Sequence, residues 1–221
     1  MSDTLNIRTT IMKKNAVTKK IYATIKFIAV LFFITGIYTP ACTQERKLFY
    51  DVIRNGNIIG FINFVELTKD QKKFMSLTSD VKTRFVFAFS IHTAETAAYE
   101  DGEMVYSSFY EKKTGSDKVN KTTIATGTSY KLTDDGVSKL ISCRPIRYNM
   151  LLLYTNIPEA INKVYSDNFQ KHLDIKKVEG NRFRLTLPDG NYNYYTYKNG
   201  ICSKVEVERT FFTLQFILRE K

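Results

Sequence analysis

The chain has 221 residues, a formal net charge of +11 and three cysteines. Six of its basic residues lie in the first 26 positions, and the remaining lysines and arginines are scattered along the chain. Because nucleic-acid binding requires a clustered basic face, this charge pattern excludes nucleic acid as an expected partner.

The first 41 residues have the pattern of a secretory signal. Basic residues precede an uncharged apolar run at residues 27–38, and the small residue Ala41 follows it. A basic segment, a short apolar segment and a small-residue cleavage site define such a signal. The run is shorter than the about 20 residues that a membrane span needs. We therefore predict a signal peptide over residues 1–41, with translation starting at either Met1 or Met12.

Cys42 directly follows the predicted cleavage site. A cysteine at this position of an exported bacterial chain is often lipid-modified, and Ala41 suits such a site, whereas Thr39 and Pro40 do not. Two alternatives stay open: a lipoprotein tethered through Cys42, and a soluble protein without a lipid. Because a lipid anchor decides membrane attachment, we expect membrane contact only through Cys42.

Residues 42–221 predict a single β-rich domain, since no linker rich in proline, glycine and serine divides them. Three turn signals separate runs of apolar or alternating residues: Asn55–Gly56, Asp101–Gly102 and Asp135–Gly136. These pairs suit tight hairpin turns, in which both central residues need positive φ. Between the first two turns, residues 74–92 read as one extended strand.

The alternating pattern breaks at residues 144–170, where an apolar stretch is flanked by prolines. Proline is favoured at the first helical position, so Pro158 predicts a short helix near residues 158–169. About ten short strands with polar turns indicate an antiparallel meander. Such a sheet must curl or close to protect its edges. The sequence therefore predicts an all-β fold that forms a curved sheet or a barrel.

One predicted strand between two turns, Pro188–Asn191 and Asn199–Gly200, carries four tyrosines. They are Tyr192, Tyr194, Tyr195 and Tyr197. The spacing places Tyr192 and Tyr194 on one face and Tyr195 and Tyr197 on the other. Tyrosine favours half-buried strands, so the preferred interpretation is a structural hairpin. A ligand platform is the alternative, and all four tyrosines are candidate ligand-binding residues.

Three segments resemble one family: "YDVIRNGNIIG", "LLLYTNIPEAINKVYSDNF" and "RFRLTLPDGNYNYYTYKNGICSKVEVE". They are similar to an uncharacterised family of exported bacterial proteins, domain of unknown function 6134, and the resemblance spans Phe49 to Leu218. Ile157 stands where the family pattern has an acidic residue before Pro158. The resemblance implies a β-rich fold and export from a Gram-negative cell of the Bacteroidota type. It implies no activity.

The sequence contains no GxSxG, HExxH, CxxC, P-loop or GxGxxG motif, and it has only two histidines. A metal site would require more histidines or clustered acids, so we expect neither a metal nor a cofactor. Cys143 and Cys202 are candidates for a disulfide, because an exported protein meets an oxidising compartment. Two buried free thiols are the alternative.

The sequence thus predicts an uncharacterised protein of the cell envelope, located in the periplasm or at the outer membrane. The preferred function is non-enzymatic: a β-barrel-like protein that binds an apolar small molecule, a glycan or another envelope protein, or that is structural. The alternative is a hydrolase of an unrecognised type, for which paired carboxylates would be needed. Glu66, Asp80 and Asp101 are its candidate acids, no catalytic residue is assigned, and the enzyme question stays open.

Overall fold

The computed structural model describes residues 43–84, 88–142, 145–210 and 212–220. The predicted signal peptide, Cys42 and Cys143 lie outside these residues. The described residues contain fourteen strands and one short 3₁₀ helix, Met150–Tyr154. The strands are β1 (Gln44–Arg54), β2 (Asn57–Lys69), β3 (Lys72–Arg84), β4 (Ala88–Glu100), β5 (Glu103–Lys113), β6 (Val119–Thr126), β7 (Ser129–Asp134), β8 (Val137–Ser142), β9 (Lys163–Ser166), β10 (Lys171–Glu179), β11 (Arg182–Thr186), β12 (Tyr192–Lys198), β13 (Ile201–Arg209) and β14 (Phe212–Leu218). None of the described residues forms a helix of the length and apolarity that a membrane span requires.

All fourteen strands belong to one sheet, in the order β8-β7-β6-β5-β4-β3-β2-β1-β14-β13-β12-β11-β10-β9. Each strand pairs antiparallel with its sequence neighbours, except that β8 and β9 do not pair and β1 pairs with β14. The predicted all-β meander is therefore confirmed. No ladder joins β8 to β9 in the described sheet, so the sheet is rolled but not closed by backbone hydrogen bonds.

Hairpin turns occur where the sequence predicts them. Asn55 and Gly56 have φ of 49° and 77°, and both residues of Asp101–Gly102, Asp135–Gly136 and Asn199–Gly200 also have positive φ. Hairpins of this kind need the left-handed region at both central positions. Asparagine, aspartate and glycine reach that region at low cost, which explains why these turns are readable in the sequence.

The prediction of a single strand over residues 74–92 is wrong. The structure divides this segment between β3 and β4, which pair antiparallel with Arg84 opposite Ala88. The connecting residues 85–87 lie outside the described residues. No glycine, proline, asparagine or aspartate occurs from residue 81 to residue 92, so the alternating pattern runs through the junction without a turn signal.

The predicted helix near residues 158–169 is also wrong. Residues 163–166 form β9, and residues 167–170 form the turn that leads to β10. Val164 and Tyr165 favour an extended backbone, and both are buried. Their pairing with β10, where Val164 lies opposite Leu173, replaces the hydrogen bonds that a helix would supply. The 3₁₀ helix occurs earlier, in the apolar stretch.

Residues 145–157, here called the cap segment, fill one end of the rolled sheet. Its residues Leu151 to Tyr154 are buried. The Tyr154 ring stacks on Phe64 with a centroid distance of 5.2 Å and meets Tyr50 edge-on at 5.4 Å. Burying these side chains stabilises the fold by roughly 1.5–3 kcal/mol each. The cap segment is thus part of the hydrophobic core.

Side chains connect the two ends of the sheet where no ladder does. Gln170, in the β9–β10 turn, donates from Nε2 to the carbonyl oxygens of Thr122 and Thr133 at 2.9 and 3.0 Å. The hydroxyls of Thr123 and Tyr165 are 2.9 Å apart. The β9–β10 hairpin therefore lies against β6 and β7, which gives the sheet its barrel-like closure.

Gly60 in β2 permits a close approach between β2 and β3. A Cβ atom at this position would overlap the carbonyl oxygen of Asp80 and lie 2.8 Å from the Cα of Val81. Both are backbone atoms and cannot rotate away. Only glycine fits here, because the two backbones approach each other closely.

We expect Gly60→Ala to destabilise the protein by roughly 1–3 kcal/mol, because the added methyl group overpacks the β2–β3 contact. If the substitution only reduced the conformational entropy of the unfolded chain, it would instead stabilise the protein by about 0.4–1 kcal/mol. Urea unfolding monitored by circular dichroism measures the change in the free energy of unfolding and shows which effect is larger. The exposed variant Thr78→Ala is the control, with an expected change within about 0.5 kcal/mol.

Candidate binding cavity

The four candidate tyrosines of β12 lie on two faces of the sheet, as their spacing predicts. Tyr195 and Tyr197 are buried on the inner face, at 2% and 4% exposure. Tyr192 and Tyr194 are half-buried on the outer face. The structure therefore does not bring the four rings together into one platform.

The outer tyrosines stack with arginines of the neighbouring strand β11. The Arg182 guanidinium lies 4.0 Å from the centroid of the Tyr194 ring, and that of Arg184 lies 4.5 Å from Tyr192. Arg182 also forms an ion pair with Glu206 at 3.1 Å. Such cation–π contacts contribute roughly 0.5–1 kcal/mol at exposed sites. These rings are covered by protein groups and form part of the outer wall.

The inner tyrosines have different roles. Tyr197 donates its hydroxyl hydrogen to the carbonyl oxygen of Leu153 at 2.8 Å, and its ring meets Phe183 edge-on at 5.7 Å. Tyr195 lines a cavity inside the sheet. Of the four tyrosines predicted as ligand-binding, Tyr195 is the one that reaches this cavity.

Buried tyrosine hydroxyls satisfy the irregular backbone of the cap segment. Besides Tyr197, the Tyr130 hydroxyl accepts from the Ile146 amide at 3.0 Å and donates to the Met104 carbonyl at 3.0 Å. The Tyr99 hydroxyl accepts from the Asn149 amide at 3.1 Å. A buried backbone group without a partner would cost roughly 1–3 kcal/mol. The tyrosines thus make a non-helical, non-strand segment stable inside the sheet.

The cavity has a volume of about 330 Å³ and lies between the inner faces of β2–β5 and β12–β14. Met150 and Tyr154 of the cap segment form part of its wall. Most of the wall is apolar, and six of the contributing residues are Ile62, Leu77, Val205, Leu214, Phe212 and Phe216. The cap segment contacts Tyr99 near the end of β4, whereas Ile91, near the beginning of β4, lines the cavity. The mouth is therefore at the end of the sheet away from the cap.

Acidic side chains form one polar region of the cavity. Glu95, on β4, lines the cavity and is half-buried. Burial raises the pKa of Glu95 to about 8, and the nearby carboxylates of Asp167 and Glu111 raise it as well. Burial also raises the pKa of Asp167 to about 6, against hydrogen bonds from its neighbours that lower it. At neutral pH, Glu95 is therefore mainly a neutral carboxylic acid.

Several buried polar atoms surround the Asp167 carboxylate. Asn149 donates from Nδ2 to Asp167 Oδ2 at 3.0 Å. Within the described residues, Asp167 Oδ1, Asn149 Oδ1 and Ser107 Oγ have no hydrogen-bond partner of regular geometry. The Ser107 side chain nevertheless interacts with Asp167 and lowers its pKa. These groups form a polar region in the interior.

Two basic residues line the mouth. Lys113 forms an ion pair with Glu111 at 2.7 Å, so its charge is balanced. Arg209, at the end of β13, donates from Nη1 to the carbonyl oxygen of Glu208 at 2.8 Å and to Asn193 Oδ1 at 3.1 Å. Its guanidinium is held in place by protein oxygens while it still borders the cavity.

The acids considered for a hydrolase do not converge. Glu66 faces inward and accepts a hydrogen bond from Thr155 at 2.6 Å. Asp80 lies on the outer face, with its Oδ1 2.8 Å from His92 Nδ1, and Asp101 occupies a turn with φ of 51°. Among the described residues, no group of three or more histidine, cysteine or acidic side chains could hold a metal ion.

The cysteine predictions are only partly within the described residues. Cys202 is a buried free thiol of β13, and burial raises its pKa to about 12. Cys143 and Cys42 lie outside the described residues. The disulfide and the lipid anchor therefore stay predictions. At such a pKa the Cys202 thiol is protonated at neutral pH and is a poor nucleophile.

Sequence reasoning missed Glu95, Asp167 and Arg209. The sequence signal for Glu95 is its position in the alternating pattern of β4, which places it on the inner face together with Ile91 and Ala97. A charged residue at an inner position of a strand marks a polar group inside the sheet. The unrecognised β3–β4 hairpin hid this position. Arg209 has a similar signal, because it follows Val205 and Val207 on the inner face of β13, and it was overlooked. Asp167 lies in a turn and has no such signal.

Comparisons with known proteins support the fold and the resemblance. The profile of one family, described as "Domain of unknown function (DUF6134)", matches residues 50–219. A comparison with curated proteins found no match. Among solved structures, the chain is similar to the crystal structure of a beta-barrel-like protein of domain of unknown function DUF1849 from Brucella abortus. The TM-score is 0.50 and the identity 8%, over 81% of this chain and 97% of that chain. At this identity the likeness shows the fold alone.

We expect Tyr197→Phe to lower the free energy of unfolding by roughly 1–3 kcal/mol, because it leaves the buried Leu153 carbonyl without a donor. The matched control is Tyr194→Phe on the outer face of the same strand, where a change within about 0.5 kcal/mol is expected. Chemical unfolding of both variants tests this difference. Equal losses in the two variants would contradict the role of the Tyr197 hydroxyl.

A second prediction concerns pH. The folded pKa of Glu95, about 8, exceeds its unfolded value of 4.5, so the folded state binds the extra proton and stability falls as pH rises through this window. Glutamine has no proton to lose. We therefore expect the stability of Glu95→Gln relative to wild type to increase between pH 5 and pH 9.

The measurement is urea unfolding of both proteins across this pH range. Taking the difference between the two proteins removes contributions from groups that they share, such as His172, whose pKa is lowered by burial. The exposed variant Asp174→Asn is the control, and its difference from wild type should stay constant. A constant difference for Glu95→Gln would show that its folded pKa is not raised.

Proposed function

The chain belongs to the family described as domain of unknown function DUF6134, and we propose that it is a carrier that holds one small, elongated and largely apolar molecule. The observation on which this rests is the cavity of about 330 Å³ inside the rolled sheet. Ligand pockets have volumes of roughly 300–1,000 Å³. Rolled antiparallel sheets of sufficient width can hold one such ligand.

The composition of the wall supports an apolar ligand. Small-molecule sites are mainly hydrophobic and contain a few polar groups that orient the ligand. Here, aliphatic and aromatic side chains of seven strands form most of the wall, with Glu95 and Arg209 among the polar groups. We prefer the apolar small molecule to a glycan or a protein partner, because the outer tyrosines are already stacked with arginines.

We further propose that the carrier is exported and works in the cell envelope. The leader at residues 1–41 has the basic, apolar and small-residue segments of a secretory signal. The periplasm and the outer membrane of a Gram-negative cell are the proposed locations. A lipid on Cys42 would make the carrier tethered, and its absence would make it soluble.

A hydrolase is the second candidate function. The observation that favours it is the raised pKa of Glu95, about 8, on the wall of the cavity, near the buried Asp167, whose pKa is raised to about 6. A perturbed acid in a cavity is typical of general acid–base catalysis. Mass spectrometry of protein purified from its own cells separates the two functions. A carrier retains an intact ligand, whereas a hydrolase releases its products.

Blocking the cavity should weaken binding of an apolar probe. Ser79 of β3 lines the cavity, and the adjacent Thr78 is exposed on the outer face. We expect Ser79→Trp to weaken binding of the uncharged dye N-phenyl-1-naphthylamine by at least about tenfold, because the indole occupies the ligand volume. Thr78→Trp is the matched control and should bind like wild type. Fluorescence titration of the dye measures both affinities.

The chain contains no tryptophan, so each variant carries a single indole reporter. The emission of Ser79→Trp should be blue-shifted, as expected for an indole in an apolar cavity, and that of Thr78→Trp should resemble an indole in water. These spectra establish that Ser79→Trp is folded with its ring inside. Equal dye affinities in two folded variants would contradict the carrier function.

A further inference from the structure

Arg209 combines burial with a position on the cavity wall. All hydrogen bonds that it makes to described residues run through Nη1, to the carbonyl oxygens of Tyr192 and Glu208 and to Asn193 Oδ1. Nε and Nη2 make no such bond. The protein therefore holds one corner of the guanidinium and leaves the other nitrogens for a further acceptor.

The guanidinium of Arg209 forms no direct ion pair with a described carboxylate. Asp189 attracts it electrostatically without a hydrogen bond between the two side chains, and the Asp189 oxygens instead accept hydrogen bonds from Asn191 at 2.8 and 3.1 Å. Burial lowers the pKa of Arg209, although a guanidinium stays charged at neutral pH. A half-buried cation without a directly bonded counter-ion is costly, and an anion that binds its free nitrogens would lower that cost.

The other charges of the cavity limit the ligand to one negative charge. Lys113 is paired with Glu111 at 2.7 Å, so Arg209 is the cation of the wall that makes no direct ion pair with a described carboxylate. A single guanidinium with two free nitrogens matches a carboxylate, which accepts two parallel hydrogen bonds. A phosphate dianion would call for a second uncompensated cation.

We propose that the ligand is a single-chain amphiphile with a carboxylate headgroup, which Arg209 binds at the mouth while the chain enters the cavity. This inference rests on the proposed carrier function. Phe212 lies opposite Arg209 in the β13–β14 ladder, and Leu214 and Phe216 continue the apolar wall inward. The headgroup and the chain thus meet groups of matching polarity along one direction.

The test compares three probes with the same ten-carbon chain: decanoate, 1-decanol and decyltrimethylammonium. Isothermal titration at pH 7.5, with each probe below its micelle concentration, gives three affinities for each protein. We expect the wild type to bind decanoate about tenfold more tightly than 1-decanol, the effect of one charge-assisted hydrogen-bonded pair. Decyltrimethylammonium should bind most weakly.

In Arg209→Gln, the preference for decanoate over 1-decanol should disappear, whereas Arg209→Lys should retain part of it. Because the preference is a ratio measured on one protein, partial destabilisation of a variant does not affect it. Arg184→Gln is the control, since Arg184 lies on the outer face over Tyr192, and it should keep the wild-type ratio.

Other outcomes overturn the proposal. Equal binding of decanoate and 1-decanol by the wild type, or a preference for decyltrimethylammonium, excludes a carboxylate ligand and leaves the carrier function intact. A ratio that depends on Lys113→Gln but not on Arg209→Gln excludes Arg209 as the headgroup residue. Failure of all three probes to bind contradicts the carrier function itself.

Discussion

The structure depends on hydrogen bonds that buried tyrosine hydroxyls make to the cap segment. A rolled sheet needs something to fill its interior, and here the filler is an irregular stretch whose amides and carbonyls have few partners in a regular element. Tyr99, Tyr130 and Tyr197 supply those partners from three different strands. Each of these residues also contributes a large apolar ring to the core, so the same side chain fills volume and satisfies the backbone. The abundance of tyrosine in this chain therefore has a structural cause.

The cavity follows from where the cap segment ends. The cap occupies the part of the interior near Tyr99. What is left is lined by apolar strand residues, with Glu95 as a mainly neutral acid within and Arg209 as a cation at the mouth. The mouth of the cavity thus differs in charge from its interior. We expect a molecule that lies along the cavity to carry its charge at the end near Arg209.

The sequence predicts the fold where a local rule governs the backbone. Asn55–Gly56 and Asn199–Gly200 are readable because few residue pairs accept positive φ twice in succession. The two faces of β12 can be assigned from the sequence because successive side chains of a strand point to opposite faces, which separates Tyr194 from Tyr195. The β3–β4 hairpin was missed because no turn residue marks it, and a helix was predicted at Pro158 because proline is favoured at the first helical position, whereas the segment forms the local β9–β10 hairpin. The site was missed because Arg209 and Glu95 are 114 positions apart, and only the β-sheet order brings them to one cavity.

The pairing of β1 with β14 has a consequence for how the molecule forms. The other described ladders join strands that are neighbours in the chain, and such local hairpins form quickly because their loops are short. The β1–β14 ladder instead pairs Tyr50 with Leu218, and it connects two blocks of the sheet, β1–β8 and β9–β14. During synthesis all strands of the first block are made before β14, so the edge of β1 has no partner until the last strand is complete. A nascent chain of this protein therefore exposes an unpaired strand edge for most of its synthesis, and such an edge invites association with other chains.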